Sequence, residues 1–321
     1  VAAEGYELPP WVPFSEIRSE RVEWVVPGVP RGMLTLLAGP PKTGKSLLTA
    51  RWAAELSYQG EASVLVSAED SPSHITKDRL TALEANHALV HYSDAIVFNE
   101  AALEQLVTRI EKVGPSLIVL DPFSAMLPGE VSSWSDQDVR SLLAPLAQMA
   151  LVFKVAIVYV LHLNKRQSGS LIDRIGGSIG FAGAARSILG MSKDETDPLR
   201  RLLGHICNVS EPEPTRMYDI KPILIPGDAG QPDVRTAKLH YAGISDREAD
   251  GLYEASRDEG GEIEEAMQLI GDLLSLGEQP VTDIEKMLRA NGISKSTEER
   301  ARRRLGVKAK QELRRWVLYL P

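Results

Sequence analysis

Residues Gly39, Pro40, Pro41, Lys42, Thr43, Gly44, Lys45 and Ser46, followed by Leu47, satisfy the spacing G-x-x-x-x-G-K-[ST]. A loop of this kind between an apolar strand and a helix turns backbone N–H groups inward, and the helix N-terminus adds the positive end of its dipole. The chemistry is the gripping of a phosphate chain. Lys45 is placed to neutralise the β and γ phosphates of ATP, and Ser46 to ligate Mg²⁺. A plain glycine turn would use the same two glycines. The apolar run before the motif and the helical pattern after it favour the phosphate reading.

Three further strand ends carry polar residues. LIVLDP ends an apolar run with Asp121, a carboxylate suited to the magnesium shell opposite Ser46, although an aspartate also caps strands and forms turns. SVLVS is followed by Ala68, Glu69 and Asp70, and Glu69 is the candidate to orient and deprotonate an attacking water. Its bland alternative is capping of the next helix. VLHLNK sets His162 and Asn164 on one side of an extended chain with Lys165 beside them.

Positioning these residues needs a particular scaffold. Short apolar runs at MLTLLA (33–38), SVLVS (63–67), AIVF (95–98), LIVL (117–120) and VAIVYVL (155–161) alternate with helical patterns, one beginning at Lys45 and others near 101–112 and 139–153. The alternation predicts an α/β fold with a mostly parallel sheet covered on both faces, its ligands at the carboxyl ends of the strands. After Gly190 shorter strands such as KLHYA (238–242) predict antiparallel additions at a sheet edge. Pro9, Pro10 and Pro13 make residues 1–21 an irregular lead-in, and the charged, core-poor stretch 245–261 is the expected linker. The first domain is therefore expected at 22–244 and a second at 262–321.

The 321 residues, 43% hydrophobic and 25% charged, are enough for two packed bodies. A net charge of −8 excludes a uniform basic field for coating nucleic acid, so such contact must be local. The single Cys207 can form neither an intramolecular disulfide nor a cysteine-rich metal site. No run is long enough for a membrane span, and the acidic, proline-bearing N-terminus lacks the layout of a secretion signal, so a cytoplasmic location is expected.

Together GPPKTGKS, VSAED, IVLDP and VLHLNK resemble the RecA-like P-loop ATPases of the RepA and DnaB-type hexameric helicase group, closest to the RepA-like branch with His162 in place of a glutamine. The likeness continues through RIGGSIGFAGAARSILGM and HICNVSEPEPTRMYDI, over roughly residues 22–243. It implies a homo-oligomeric ring, a hexamer in that group, with ATP and Mg²⁺ between neighbours, Glu69 as catalytic glutamate and His162 as a γ-phosphate sensor. Arg186, in GAARSIL, matches the arginine that completes a neighbour's site. Two loops facing the ring centre would map to 122–138 and 165–177. The second offers Lys165, Arg166 and Arg174 to single-stranded DNA. The first holds Glu130, Asp136 and Asp138 with no cation, which departs from a simple DNA grip, and its Trp134 suits either base stacking or subunit packing. The helical N-terminal domain of DnaB-type helicases has no counterpart before the motor, so primase docking through one is not expected.

The tail carries three helical patterns, EIEEAMQLIGDLL, VTDIEKMLRANG and STEERARRRLG, then strand-like WVLYL (316–320). Thr282 with Glu285, and Ser296 with Glu299, have capping-box spacing. The pattern predicts a winged helix-turn-helix, although a small helical packing domain shares it. Between Lys295 and Arg315 nine cations face three carboxylates, a local excess of +6. Arg300, Arg303 and Arg304 are the candidates for duplex DNA, against the alternative of a solvated basic face. The expected function is an ATP-driven ring motor on DNA, a RepA-like replicative helicase of a plasmid, phage or mobile element. A nucleotide-gated DNA-binding or regulatory ATPase without strand separation is the main alternative. A RecA-like kinase or recombination mediator has less in its favour.

Overall fold

The computed structural model describes residues 11–129, 135–163, 170–175, 179–194, 196–227, 232–253, 266–267, 269–271, 273–274, 277–290, 293, 295–312 and 315–319. Two compact units divide the chain, Val1–Tyr253 and Glu254–Pro321.

In the first unit a short hairpin, β1 (Trp24–Val26) with β2 (Val29–Pro30), leads into β3 (Leu34–Gly39), α1 (Lys45–Tyr58), β4 (Ser63–Ser67), α2 (Lys77–Ala82) and β5 (Val90–Asp94). There follow α3 (Glu100–Val113), β6 (Leu117–Asp121), α4 (Asp136–Phe153), β7 (Ala156–His162) and α5 (Gly180–Ala184). The chain then runs through β8 (Ser187–Lys193), β9 (Arg200–Cys207), β10 (Arg216–Ile225) and β11 (Val234–Ile244). Nine strands form one sheet in the order β11-β10-β9-β8-β3-β7-β6-β4-β5. From β8 to β5 the pairing is parallel, and β9, β10 and β11 extend the β8 side antiparallel. This is the expected α/β architecture of a RecA-like P-loop fold, with its antiparallel additions at one edge.

Strand periodicity decides which side chain meets which helix layer. Along β7, Ile157, Tyr159 and Leu161 enter one core with Leu143 and Leu146 of α4, while Val158 and Val160 enter the other with Leu48, Trp52 and Leu56 of α1. Both faces are covered, which is why these strands read as continuous apolar runs. Helix α3 starts where the Asn99 side chain accepts from the Ala102 N–H at 2.8 Å, and stops at Gly114 in the left-handed region.

One expected strand is displaced. The fifth strand along the chain is VHYSD (90–94), and AIVF (95–98) is the connection after it. Its apolar character has another cause: Phe98 is buried in the α3/α4 core and its N–H bonds the Met126 carbonyl. The edge strand itself is half-exposed and polar, so periodicity hides it.

The first unit also extends past the expected boundary at 244, because Leu252 and Tyr253 pack back onto the sheet. Of the expected linker, residues 254–261 lie outside the described residues.

The second unit holds helical residues among 266–274, helices Val281–Ala290 and Lys295–Leu305, and a three-stranded antiparallel sheet of β12 (Gln279–Pro280), β14 (Arg315–Tyr319) and β13 (Lys308–Glu312), in that order. Ala266, Ile270, Ile284, Leu288, Ile293 and Leu318 form its core. The helix beginning at Val281 starts straight out of the β12 bridge, so Thr282 lies inside its first turn rather than at the cap. Among the described residues no helix is long and apolar enough to cross a membrane.

Buried polar contacts fasten β8 to β9. His205 Nδ1 accepts the Glu213 N–H at 2.8 Å, so Nε2 carries the proton and donates to Ser187 Oγ at 2.9 Å; that hydroxyl donates to the Gly28 carbonyl. Burial lowers the His205 pKa from its ordinary value. A second proton would have to displace the Glu213 N–H. Because the folded pKa lies below the unfolded one, this stability is present above about pH 6.5 and drains away as pH falls toward the folded pKa. Melting temperature should therefore drop between pH 7 and pH 5, and the drop should shrink in His205→Gln; equal slopes would contradict the assignment.

Candidate active site

The carboxyl ends of the parallel strands bring the expected residues together. Ser67 pairs with Asp121 across β4 and β6, and Gly39 pairs with His162 across β3 and β7. Pro40 and Pro41 have no N–H, so the loop's free donors begin at Lys42. Lys42 and Gly44 have φ of 60° and 96°. These left-handed turns wrap the loop around its concave side, at no steric cost for glycine. A Cβ on Gly39 would lie 2.5 Å from the Met191 carbonyl oxygen, so glycine is required there by packing.

Lys45, the first residue of α1, is 5% exposed. Its ammonium donates to the Gly39 and Pro40 carbonyls at 2.8 and 3.0 Å and lies 3.1 Å from His162 Nδ1. Burial pushes its pKa down to about 8, against the opposing pull of the Asp121 and Glu69 carboxylates. Ser46 Oγ donates to Asp121 Oδ2 at 2.8 Å. Burial raises the Asp121 pKa, the Ser46 hydroxyl and Lys45 lower it, and Asp70 and Glu69 raise it again.

Glu69 and Asp70 part company here. Asp70 is half-buried in an ion pair with Arg79 of α2, whereas the neighbouring Glu69 is exposed at the strand end. Both N–H groups face Ser67 Oγ, at 3.4 Å for Glu69 and 3.1 Å for Asp70. Asp70 thus anchors the turn and leaves Glu69 exposed at the strand end.

A hard cation fits this donor set. Ser46 and Asp121 supply one hydroxyl and one carboxylate, and Mg²⁺ is commonly held by so few protein ligands together with substrate phosphates and water. Among the described residues no group of three or more His, Cys, Asp or Glu could hold a metal by itself.

Arg186 stands elsewhere. It is exposed, and its N–H bonds the carbonyl of Leu34, the first residue of β3, whereas the phosphate loop follows the last. Five strand steps separate the two ends by about 16 Å. Within one chain the two do not meet.

Lys165 and Arg166, with Asn164, Glu130 and Trp134, lie outside the described residues. Arg174 is half-buried, with its guanidinium carbon 5.6 Å from the centroid of the Tyr253 ring. In the second unit Arg303 and Arg304 are exposed, Arg300 is half-buried, and Arg302 pairs inward with Glu298.

Residues 2–168, just over half of the chain, match the model of AAA_25, an AAA domain. The chain belongs to the AAA_25 family. With this match and the fold above it is a RecA-like P-loop ATPase domain. Relatives of this AAA_25 chain include the DNA repair protein RadA of Bacillus subtilis, 30% identical over 143 residues, 44% of this chain and 30% of that protein. RadA of Campylobacter jejuni is 26% identical over 167 residues, 51% and 36% of the two chains. RadA of Mycolicibacterium smegmatis is 26% identical over 224 residues, 63% and 46%. The chain spans less than half the length of these relatives.

Arg201 of β9 escaped the sequence reading. It is 6% exposed and donates from Nε to the Thr43 carbonyl at 2.9 Å, behind the phosphate loop. Nothing in the string RRLLGHIC marks it, because its partner is a backbone atom 158 residues away.

Two predictions follow from this geometry. Nucleotide prefers a protonated Lys45, so ADP affinity should be flat below about pH 8 and weaken by up to tenfold per pH unit above it, with proton uptake detected by calorimetry in two buffers. In Lys45→Ala the residual binding should lose that pH dependence. Separately, the Tyr253 hydroxyl is buried without a hydrogen-bond partner among the described residues. Tyr253→Phe should leave stability equal or about 1 kcal/mol higher by denaturant melting; a loss above about 1 kcal/mol would show a bond to that hydroxyl.

Proposed function

We propose that the protein binds ATP with Mg²⁺ and hydrolyses it while acting on DNA. The observation that carries this reading is the cluster at one strand edge, with Lys45 in the loop, Ser46 on Asp121, and Glu69 free beside them. In this reading Gly39 to Leu47 hold the phosphates, Ser46 and Asp121 the metal. Glu69 orients and deprotonates the attacking water, and His162, next to Lys45, responds to the γ-phosphate. Mg²⁺ supplies charge neutralisation when bound.

Arg186 is the proposed arginine finger. Its place at the far end of β3 supports action on a neighbour's nucleotide and not on its own. A homo-oligomer, a hexameric ring in the finer reading, follows from that division of labour. DNA as the target draws support from the relatives, which carry the name DNA repair protein. Their name favours a role in repair or recombination over the replicative helicase suggested by the motif resemblance. Strand-moving action by a RepA-like ring is retained as the finer reading, with Lys165, Arg166 and Arg174 as its contacts to single-stranded DNA.

We read the second unit as a winged helix-turn-helix. Two helices and an antiparallel three-stranded sheet support this, with Arg303 and Arg304 exposed for duplex DNA and Arg300 beside them.

The test is ATP hydrolysis with and without single-stranded DNA. Glu69→Gln and Arg186→Ala should each lower turnover by at least about 10³-fold while binding ADP normally. Mixed together they should regain activity, because an Arg186 from one variant completes the intact Glu69 site of the other. No recovery on mixing would remove the neighbour-supplied arginine, and turnover indifferent to DNA would favour the nucleotide-gated binder.

A further inference from the structure

On one side the phosphate loop leans on a hairpin, β8 with β9. Three contacts define the support. The Met191 carbonyl blocks any side chain at Gly39, the Met191 methyl lies 3.6 Å from where a Cβ of Gly44 would be, and Arg201 holds Thr43. Arg201 donates from Nε to the Thr43 carbonyl at 2.9 Å and from Nη1 to the carbonyls of Pro198 and Arg200 at 2.8 and 2.7 Å. No carboxylate stands among these hydrogen-bond partners, although Asp197 is close enough to act on it through charge. A buried guanidinium normally pairs with an anion. Here it spends its donors on main-chain oxygens behind a loop whose front is shaped for phosphate.

Peptide geometry gives that arrangement a consequence. In a trans peptide the carbonyl and the N–H of one unit point in opposite directions. The Thr43–Gly44 unit is trans, since Asp121–Pro122 is the one cis bond among the described residues. With its oxygen tied back to Arg201, this unit must aim the Gly44 N–H to the other side, the concave side of the loop. Thr43 is held a second time, because its buried hydroxyl donates to the Pro40 carbonyl at 2.9 Å.

We propose that Arg201 is a positioning residue for nucleotide binding, fixing the Thr43–Gly44 peptide so that the loop's N–H groups meet the phosphates already oriented. This rests on the reading of the loop as a nucleotide site. Arg201 acts through the backbone and touches no phosphate itself. Pre-orientation of this kind improves affinity for every nucleotide that fills the loop and leaves the chemical step to other groups.

Arg201→Met and Arg201→Lys, with the full chain, provide the test. Arg201→Met should raise the ADP Kd and the KM for ATP by about tenfold each, the value of one charge-assisted hydrogen bond, with kcat at saturating ATP within twofold of wild type. Arg201→Lys keeps a charge and a donor and should come back to within about threefold. A merely structural arginine would lower the nucleotide-free melting temperature and leave the Kd of the folded variants unchanged, and that result overturns the proposal. The wild type gives a reading that needs no variant: ADP should shift the NMR resonance of the buried Arg201 Nε–H, and an unmoved resonance also overturns it. A wild-type chain that binds no ADP would instead overturn the nucleotide reading beneath it, while ADP binding with an indifferent Arg201 leaves that reading standing.

Discussion

Parallel pairing in a common register is the constraint from which the rest of the first unit follows. Ser67 lies opposite Asp121, and Gly39 opposite His162, so the strands end in two matched pairs at one edge, β3 and β7 running two residues beyond β4 and β6. A slip of one residue would turn every side chain of a strand to the other face. The two helix layers forbid that slip, because Ile157 and Tyr159 fit one layer while Val158 and Val160 fit the other. Packing energy spread over two cores thus fixes the height at which Asp121, Glu69 and His162 leave the sheet. The site is accurate because the core is intolerant.

Electrostatics at that edge are balanced around one buried cation. Desolvation works against the charge on Lys45, and Asp121 and Glu69 sustain it in part, leaving its pKa near 8. The ammonium meanwhile occupies the carbonyls of Gly39 and Pro40. A phosphate entering the loop offers a stronger acceptor than either carbonyl, with full negative charge. It would draw Lys45 off those oxygens and raise its proton affinity together. Asp70 is held in its ion pair by Arg79, although its charge still reaches Asp121.

Local signals made the loop, the placing of Asp121 opposite Ser46 and the alternation of strands and helices legible in the sequence. The loop's glycines, the apolar runs and the aspartate at a strand end are each a few residues long, and each has a local physical cause. Signals failed where the cause is remote. AIVF is apolar because Phe98 fills a core, while the polar VHYSD pairs at the sheet edge. The ring that Arg174 stacks on could not be foreseen either, since Tyr253 comes to it from 79 positions along the chain, beyond the expected domain boundary. Arg201 is the extreme case, a basic residue in a strand whose single distinguishing partner is a distant carbonyl.

The same hairpin joins the two ends of the sheet that the proposed reaction must use. Strand β8 begins at Ser187, directly after the exposed Arg186, and closes at Lys193, which pairs with Arg201 behind the phosphate loop. Its return strand closes the other end, where Cys207 pairs with Ser187 and the Asn208 N–H bonds the Arg186 carbonyl. Seven paired residues and the buried His205, Ser187 and Gly28 contacts make this a stiff element. A stiff strand moves as a body, so a displacement imposed at one end reaches the other with little loss. On the proposed reading, Arg186 offered to a neighbour's nucleotide and the Thr43–Gly44 peptide beside its own would lie at the two ends of this one stiff hairpin.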